Sequence, residues 1–416
     1  MEISRAYKVE LKPNNKQRTL LKKHAGTSRF TWNWGLAQRQ ELYKNDKQST
    51  DAMKQHMELN QLKQSQFPWM YTVSKCAPQE ALRDLDRAFE NFFRKRAGYP
   101  KFKKKGRNES FRLTGSIRLH RVKNHSWVQL PRLKRIRLKE FPNLKSHILS
   151  ATVSRQADRW FVSFAVMEEI TEPAKPNPLK VMGLDLGISK LAVLSNSQEF
   201  WSSKPLRTQL RKLRKISREL SRRVQKSQNW LKTLNKLRRL HFRISCQRRD
   251  ILHKLSEEVL SKADFVVLED LAVKNLMKNR KLARSISDMG WGELKRQFDY
   301  KTKWHGKRLI LAPRFFPSSK LCSNCENVKK DLQLSDRLFK CDLCGFVEDR
   351  DLNAALNLEK YGRIHLISPR VAASWAETLN VCGAGVRLAN TLACMNKYLK
   401  PATTMKQKMS SMSSIS

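Results

Sequence analysis

The chain has 416 residues, enough for two or three domains, and its 40% hydrophobic content allows real cores and excludes global disorder. Its 84 Lys+Arg against 37 Asp+Glu leave a formal charge of +47, a self-repulsion that a polyanion must offset. Nucleic acid fits that role better than an anionic membrane, because no apolar run approaches the ~18–20 residues that span a bilayer.

The N-terminal M-E-I-S-R-A-Y-K-V-E-L-K lacks the apolar centre and cleavage site of a signal peptide. The expected setting is a reducing cytoplasm, where clustered cysteines hold metal rather than form disulfides. Residues 1–12 alternate as a strand, Pro13-Asn14-Asn15 breaks the pattern, and a helix carrying Leu20, Leu21 and Ala25 follows. From Pro78 to Arg94 the positions Ala81, Leu82, Leu85, Ala88, Phe89, Phe92 and Phe93 recur at helical spacing, the mark of a core-facing stripe. Lys75 and Gln79, four residues apart, share a face suited to reading base edges.

Residues 98–107, G-Y-P-K-F-K-K-K-G-R, form a basic loop with two aromatics, a pattern that predicts phosphate contact. Short strands are expected over 110–170, with Q-A-D as a hairpin turn before R-W-F-V-S-F-A-V-M, and then a Pro/Lys-rich linker over 171–180. Residues 204–260 read as long basic helices with stripes Leu206, Leu210, Leu213, Ile216, Leu220, Val224 and Leu231, Leu234, Leu237. Such a pair suits a nucleic-acid groove.

Three acids stand out between these elements. Asp185 lies in V-M-G-L-D-L-G-I-S-K, a short apolar strand whose alternation puts Val181, Gly183 and Gly187 on its face. A carboxylate there needs a partner, commonly a cation, and the glycines leave a bay for a phosphodiester. Glu269 ends the apolar run 265–268, a strand buried on both faces as in a parallel sheet, at the end where such sheets bind ligands. In E-D-R-D-L-N-A-A-L-N-L, Asp349 is the expected N-cap, while Asp351 shares a helical face with Ala354, Ala355 and Leu358. Converging in an RNase H-like sheet, the three would hold two Mg²⁺ about ~4 Å apart for phosphodiester hydrolysis.

Cys322, Cys325, Cys341 and Cys344 form C-x-x-C, a fifteen-residue spacer and C-x-x-C, the spacing of a structural zinc ribbon between the Glu269 strand and the Asp351 helix. Gly345 follows the second pair but Glu326 follows the first, which predicts a distorted first knuckle or a looser metal. Cys76, Cys246, Cys382 and Cys394 are expected to be core or tail residues.

Several of these stretches resemble the TnpB family, the insertion-sequence-encoded relatives of type V CRISPR effectors. They are G-L-D-L-G-I (183–188), V-L-E-D-L (267–271), S-S-K-L-C-S-N-C (318–325), C-D-L-C-G (341–345) and D-R-D-L-N-A-A-L-N-L (349–358), with echoes at 79–93 and 99–105. The resemblance spans about residues 5–362. It implies an α+β multidomain RNA-guided DNA endonuclease. A wedge-like β-barrel (1–12 and 108–175) would carry an inserted helical recognition domain (13–107). An RNase H-like (RuvC) nuclease domain (178–312 and 346–362) would carry a zinc ribbon (313–345), and a largely disordered segment (363–416) would follow. It further implies Asp185, Glu269 and Asp351 as the catalytic acids with Mg²⁺, and Lys75 and Gln79 at a short motif beside the target. The implied partners are a guide RNA and double-stranded target DNA, with no membrane and one protein copy in the ribonucleoprotein. A strand-transferring transposase and a catalytically silent RNA-guided repressor are the alternatives.

Overall fold

The computed structural model describes residues 2–367 apart from Lys145, Glu172 and Leu334. The chain forms two compact units, one of residues 1–173 with 206–247, the other of residues 174–205 with the described residues from 248 onward.

Strand β1 (Glu2–Lys12) opens the first unit, and Pro13 ends it. The Asn14 side chain accepts from the Gln17 backbone N–H while the Gln17 side chain accepts from that of Asn14, a reciprocal cap that starts α1 (Asn15–Asp46). Then come α2 (Ala52–Ser65), a short 3₁₀ turn at Pro68–Thr72 and α3 (Cys76–Phe93). Strands β2 (Ser110–Thr114), β3 (Arg118–Val122), β4 (His125–Leu130), β5 (Lys134–Leu138), β6 (Ile148–Gln156) and β7 (Arg159–Glu169) complete a seven-stranded antiparallel sheet in the order β2-β6-β7-β1-β5-β4-β3. Ala157, at φ 56°, makes the β6–β7 turn. Leu113, Val128, Val153, Phe164 and Val166 of this sheet bury one core with Leu21 and Ala25 of α1.

The α3 stripe is only partly a core stripe. Ala81, Leu82 and Leu85 are buried, but Phe93 is 73% exposed. Phe89, Phe92, Phe93 and Tyr99 instead pack ring against ring at the helix end, with centroids 5.3–6.2 Å apart. The basic loop beside them is pinned as well as charged. Asn33 bonds the Lys103 backbone on both sides, Trp32 Nε1 donates to the Lys101 carbonyl at 3.0 Å, and Lys103 Nζ stands 3.6 Å over the Trp32 ring. Lys103 is thus spent inward, while Lys101, Lys104 and Lys105 face solvent.

Past the linker run β8 (Val181–Asp185), β9 (Ala192–Leu194), β10 (Glu199–Phe200), α4 (Pro205–Ser221) and α5 (Gln228–Lys262). Leu213 and Ile216 of α4 meet Leu240 and Ile244 of α5 in one apolar seam. Val224, 79% exposed between the two helices, and Leu231, 39% exposed, stand outside that seam. In the first unit α5 pairs Arg239 with Asp158 and sets Phe242 against Phe161.

The second unit adds β11 (Phe265–Glu269), α6 (Val273–Leu276), α7 (Ala283–Met289), α8 (Trp291–Trp304), β12 (Arg308–Ala312), β13 (Leu338–Lys340), β14 (Val347–Asp349) and α9 (Arg350–Ile367). Its five-stranded sheet runs β10-β9-β8-β11-β12, with β8, β11 and β12 mutually parallel and the hairpin partners β9 and β10 antiparallel. Four consecutive apolar residues in β11 are buried because α9 covers one face and α8 and α5 cover the other.

Helix α9 lies with its backbone on the sheet. A Cβ on Gly183 would meet the Ala355 carbonyl oxygen at 2.0 Å, and one on Gly362 would meet Val267 Cγ2 at 2.4 Å. The expected phosphodiester bay at Gly183 is therefore filled by the helix; the missing side chain serves packing. Residues 363–367, expected to open the C-terminal segment, continue α9 and bury Ile364. The rest of 363–416, including Cys382 and Cys394, lies outside the described residues.

Candidate metal centres and nucleic-acid contacts

The pairing Leu268↔Leu184 of β11 and β8, carried on by one residue, sets Glu269 beside Asp185 at one strand spacing, about 4.8 Å. Helix α9 runs antiparallel to β8, since Gly362 lies over Val181 and Ala355 over Gly183. Asp351, one turn before Ala355, is about 6 Å further along, the distance that two strand residues cover between Gly183 and Asp185. The three acids thus come to one corner of the sheet, from two strand ends and one helix start.

Their electrostatics agree with that placement. Asp185 is pushed well above the usual carboxylate range, first by burial and then by the negative charges of Glu269 and Asp351, with Arg350 opposing. Burial also raises Glu269, against the hydroxyl of Ser318, which donates to Glu269 Oε1. Both residues are half-buried rather than fully enclosed. Asp349 is engaged elsewhere. Its Oδ1 accepts from the backbone N–H of Asp351 and Leu352 at 2.9 and 3.1 Å, the N-cap of α9, and its Oδ2 meets Lys190 Nζ at 3.2 Å.

The four cysteines gather more tightly. Among the described residues they are the group of possible metal ligands whose atoms all lie within 4.8 Å of one another. Cys322 Sγ is 3.7 Å from Cys344 Sγ and Cys325 Sγ 3.5 Å from Cys341 Sγ. A tetrahedral zinc with bonds of about 2.3 Å requires sulfurs about 3.8 Å apart, so the donor set fits that ion. The Phe346 backbone N–H draws the Cys344 thiol down to about 6, while burial pushes Cys325 up to about 12 and raises Cys322, so it is the geometry of the four sulfurs that supports a metal.

The first knuckle is not distorted. Glu326 takes the left-handed backbone at φ 62° as Gly345 does at φ 72°, and each donates its N–H to the first cysteine's carbonyl, at 2.9 and 3.1 Å. The Glu326 carboxylate pairs with Lys360 of α9, a contact that glycine could not make.

In the first unit Lys75 is exposed at the start of α3, and Gln79 is half-buried one turn on. Lys75 lines a cleft of about 1000 Å³ with Tyr71, Ser116, Arg132 and Lys134; Gln79 is not part of that lining. Sequence reasoning missed His24, which is fully buried and holds this turn. Its Nδ1–H donates to the Leu20 carbonyl at 2.8 Å, and its Nε2 accepts from the Ser74 N–H at 3.0 Å. It also missed Ser318, Asn353 and Asn357, although the two asparagines recur at i and i+4 on an apolar helix face, a visible signal.

An α/β fold with an acidic corner and a four-thiol ribbon defines a class of metal-binding domain, and comparison with known proteins narrows it. Residues 163–280 match a family described as "Probable transposase", residues 291–358 one described as "Cas12f1-like, TNB domain", and residues 1–48 one described as "Helix-turn-helix domain". In this chain residues 1–48 hold one strand and one long helix. "Putative RNA-guided DNA endonuclease InsQ" of Escherichia coli (strain K12) is 33% identical over 86% of this chain and 92% of its own length. "Putative RNA-guided DNA endonuclease" of Streptomyces pristinaespiralis is 36% identical over 93% of this chain and 92% of its own. The chain belongs to the TnpB family. A solved structure titled "Cryo-EM structure of the Cas12f1-sgRNA-target DNA complex" shares the fold at TM-score 0.55 and 12% identity, over 86% of this chain and 99% of that one. No described helix is long and apolar enough to cross a membrane.

Proposed function

We propose that this protein is a metal-dependent, RNA-guided DNA endonuclease associated with a transposable element. The observation that most supports the reading is that Asp185, Glu269 and Asp351 stand toward one corner of the second unit's sheet, near enough for Glu269 and Asp351 to raise Asp185. The names of the relatives support it. In this reading residues 178–312 and 346–362 are the RuvC-like nuclease domain and 313–345 its zinc ribbon. Residues 1–12 and 108–175 are the wedge, and 13–107 the recognition domain.

The three acids would hold Mg²⁺, two ions in number, which supply Lewis-acid stabilisation of the attacking and leaving oxygens of a phosphodiester. The chain's own residues prepare that site. Burial and the negative charges of Glu269 and Asp351 hold Asp185 above the usual carboxylate range, and a cation bound there would favour its ionised form. The Ser318 hydroxyl orients one oxygen of Glu269. Lys190 and the α9 N–H groups occupy Asp349, which leaves Asp351 as the helix-borne ligand.

Guide RNA and double-stranded DNA are the partners in this reading, and the protein is monomeric in the ribonucleoprotein. The +47 charge supports a polyanionic partner. So does the groove of about 830 Å³ on α4, lined by Arg211, Arg214, Lys215, Arg218, Arg222 and Arg223 with Glu219 as its one acid. Lys75 and Gln79 would read the flanking motif from the cleft of the first unit and the helix turn beside it.

The test is to purify the protein with its element's RNA and add Mg²⁺ and plasmids with randomised flanks. Guide-matched double-strand cuts that fall to background in Asp185→Ala are expected. Strand-transfer products would assign a transposase instead, and guide-dependent binding without cutting by the wild type a repressor.

A further inference from the structure

We infer that Ser318 is a positioning residue for Glu269, and that two buried asparagines of α9 set it there, so that the ribbon's first knuckle and the acidic corner form one rigid assembly. This rests on the reading of Asp185, Glu269 and Asp351 as a divalent-cation site.

The chain of contacts is short. Ser318, 4% exposed, donates its hydroxyl hydrogen bond to Glu269 Oε1. Its own backbone is held from α9, because Asn357 Nδ2 donates to the Ser318 carbonyl at 2.8 Å and to the Leu321 carbonyl at 2.6 Å. One turn earlier, Asn353 Nδ2 donates to the same Leu321 carbonyl at 2.7 Å, and Asn353 Oδ1 accepts from the Ser323 N–H at 3.0 Å. Between those anchor points lies Cys322, a thiol of the ribbon, fully buried. The Glu326–Lys360 pair ties the far side of the same knuckle to the same helix.

The arrangement carries a cost as well as a gain. Asn353 and Asn357 are both 0% exposed, on the face of α9 that also buries Ala354 and Leu358. Asn357 Oδ1 is buried with no hydrogen-bond partner. Leaving such an atom unsatisfied costs about 1–3 kcal/mol, which the two bonds from Asn357 Nδ2 offset. What a leucine in place of Asn357 cannot do is hold the Ser318 and Leu321 carbonyls at either end of this turn and so aim the Ser318 hydroxyl. The helix that aims Ser318 also carries Asp351, so one rigid body sets the geometry of two of the three acids. Residues that orient a metal ligand through a hydrogen bond typically change metal affinity roughly 10–100-fold when removed.

The test uses the full-length, zinc-loaded chain and Mn²⁺ as the probe, read as the Mn²⁺ concentration that gives half of the metal-induced rise in melting temperature. Asp185→Ala is the control for the site itself and is expected to abolish the rise; an unchanged rise in Asp185→Ala would overturn the reading of the acidic site. Given that control, Ser318→Ala is expected to shift the midpoint upward roughly 10–100-fold. Its metal-free melting and zinc content should stay as in the wild type, and Ser318→Thr, which keeps the hydroxyl, should restore the midpoint. Asn357→Leu is expected to shift the midpoint in the same direction while keeping its zinc. Midpoints in Ser318→Ala and Asn357→Leu equal to the wild type would overturn the inference and leave the site reading intact. Should Asn357→Leu fail to fold, the Ser318→Ala and Ser318→Thr pair decides alone.

Discussion

The first unit's paired carboxylates and the second unit's acidic corner treat buried charge in opposite ways, although the second unit also pairs its buried Asp288 with Arg248 at 3.2 Å. In the first, Glu168 accepts from the Tyr7 hydroxyl at 2.6 Å and pairs with Arg5 at 3.0 Å, with only 7% of its side chain exposed. Asp86 pairs with Arg39 and caps the Ala52 N–H, and Arg239 holds Asp158 below the usual carboxylate range. Each of these acids has a basic partner within the protein itself. At the acidic corner of the second unit, Asp185 is raised by burial and by Glu269 and Asp351, the reverse of what pairing would do. A paired acid contributes to the fold. An acid raised by like-charged neighbours gains no such support from the fold, and that contrast is what the proposed metal site rests on.

The sharpest test of that contrast separates Asp351 from its neighbour. Asp351→Asn should lower cleavage by about 10³-fold, since a displaced ligand removes transition-state charge stabilisation. Asp349→Asn should keep much of the activity and nearly all of the stability, since asparagine caps a helix as well as aspartate does and only the Lys190 pair is lost. Equal losses of activity would merge the two acids and end the distinction between capping and ligating roles.

Next in size is the ribbon. Cys341→Ser, replacing a buried thiol of the four, should lower the melting temperature and the zinc content together. Unchanged melting would show that the second unit does not depend on its metal.

Glu168→Gln probes the paired side of the comparison. It should destabilise the first unit by about 1–3 kcal/mol, less than a fully buried pair because Arg5 keeps 28% side-chain exposure. A neutral result in chemical denaturation would mean that the pair contributes nothing net.

The smallest effect has the opposite sign. Asp185→Asn should stabilise the metal-free protein by about 1 kcal/mol while abolishing cleavage, because it removes a carboxylate whose ionisation is resisted. The sign follows from linkage. A carboxyl raised in the folded state binds more protons folded than unfolded, so its contribution is fully present below the ordinary carboxylate range and is lost as pH rises through the raised folded value. Metal-free wild type should therefore melt lower as pH rises across that window, and Asp185→Asn should flatten the dependence. Mn²⁺ affinity should rise over the same window, since the cation displaces the proton.

Much of this protein was decided within short stretches of sequence. Alternation over 1–12 marks β1, the reciprocal Asn14 and Gln17 cap starts α1, and the apolar run 265–268 makes a strand buried on both faces. Each C-x-x-C pair marks a knuckle that can offer two thiols to one ion, although the meeting of the two pairs is a contact across the spacer. These features are local, so propensity, spacing and capping chemistry suffice to read them.

Only the tertiary structure decided the rest, and in each case the reason is a long-range partner. Periodicity marked the apolar face of α3 but could not say that its last turn ends in an exposed ring cluster rather than a core. The glycine at 183 read as space for a ligand because nothing local shows that α9, about 170 residues later, brings a carbonyl to that spot. Glu326 read as a misfit in a glycine position, yet Lys360 supplies a compensating partner from another element. Asp185, Glu269 and Asp351 each stood at a recognisable strand end or helix start, but their meeting depends on parallel register between β8 and β11 and on the close packing of α9. Those are properties of pairing between distant segments, which single-segment patterns do not encode.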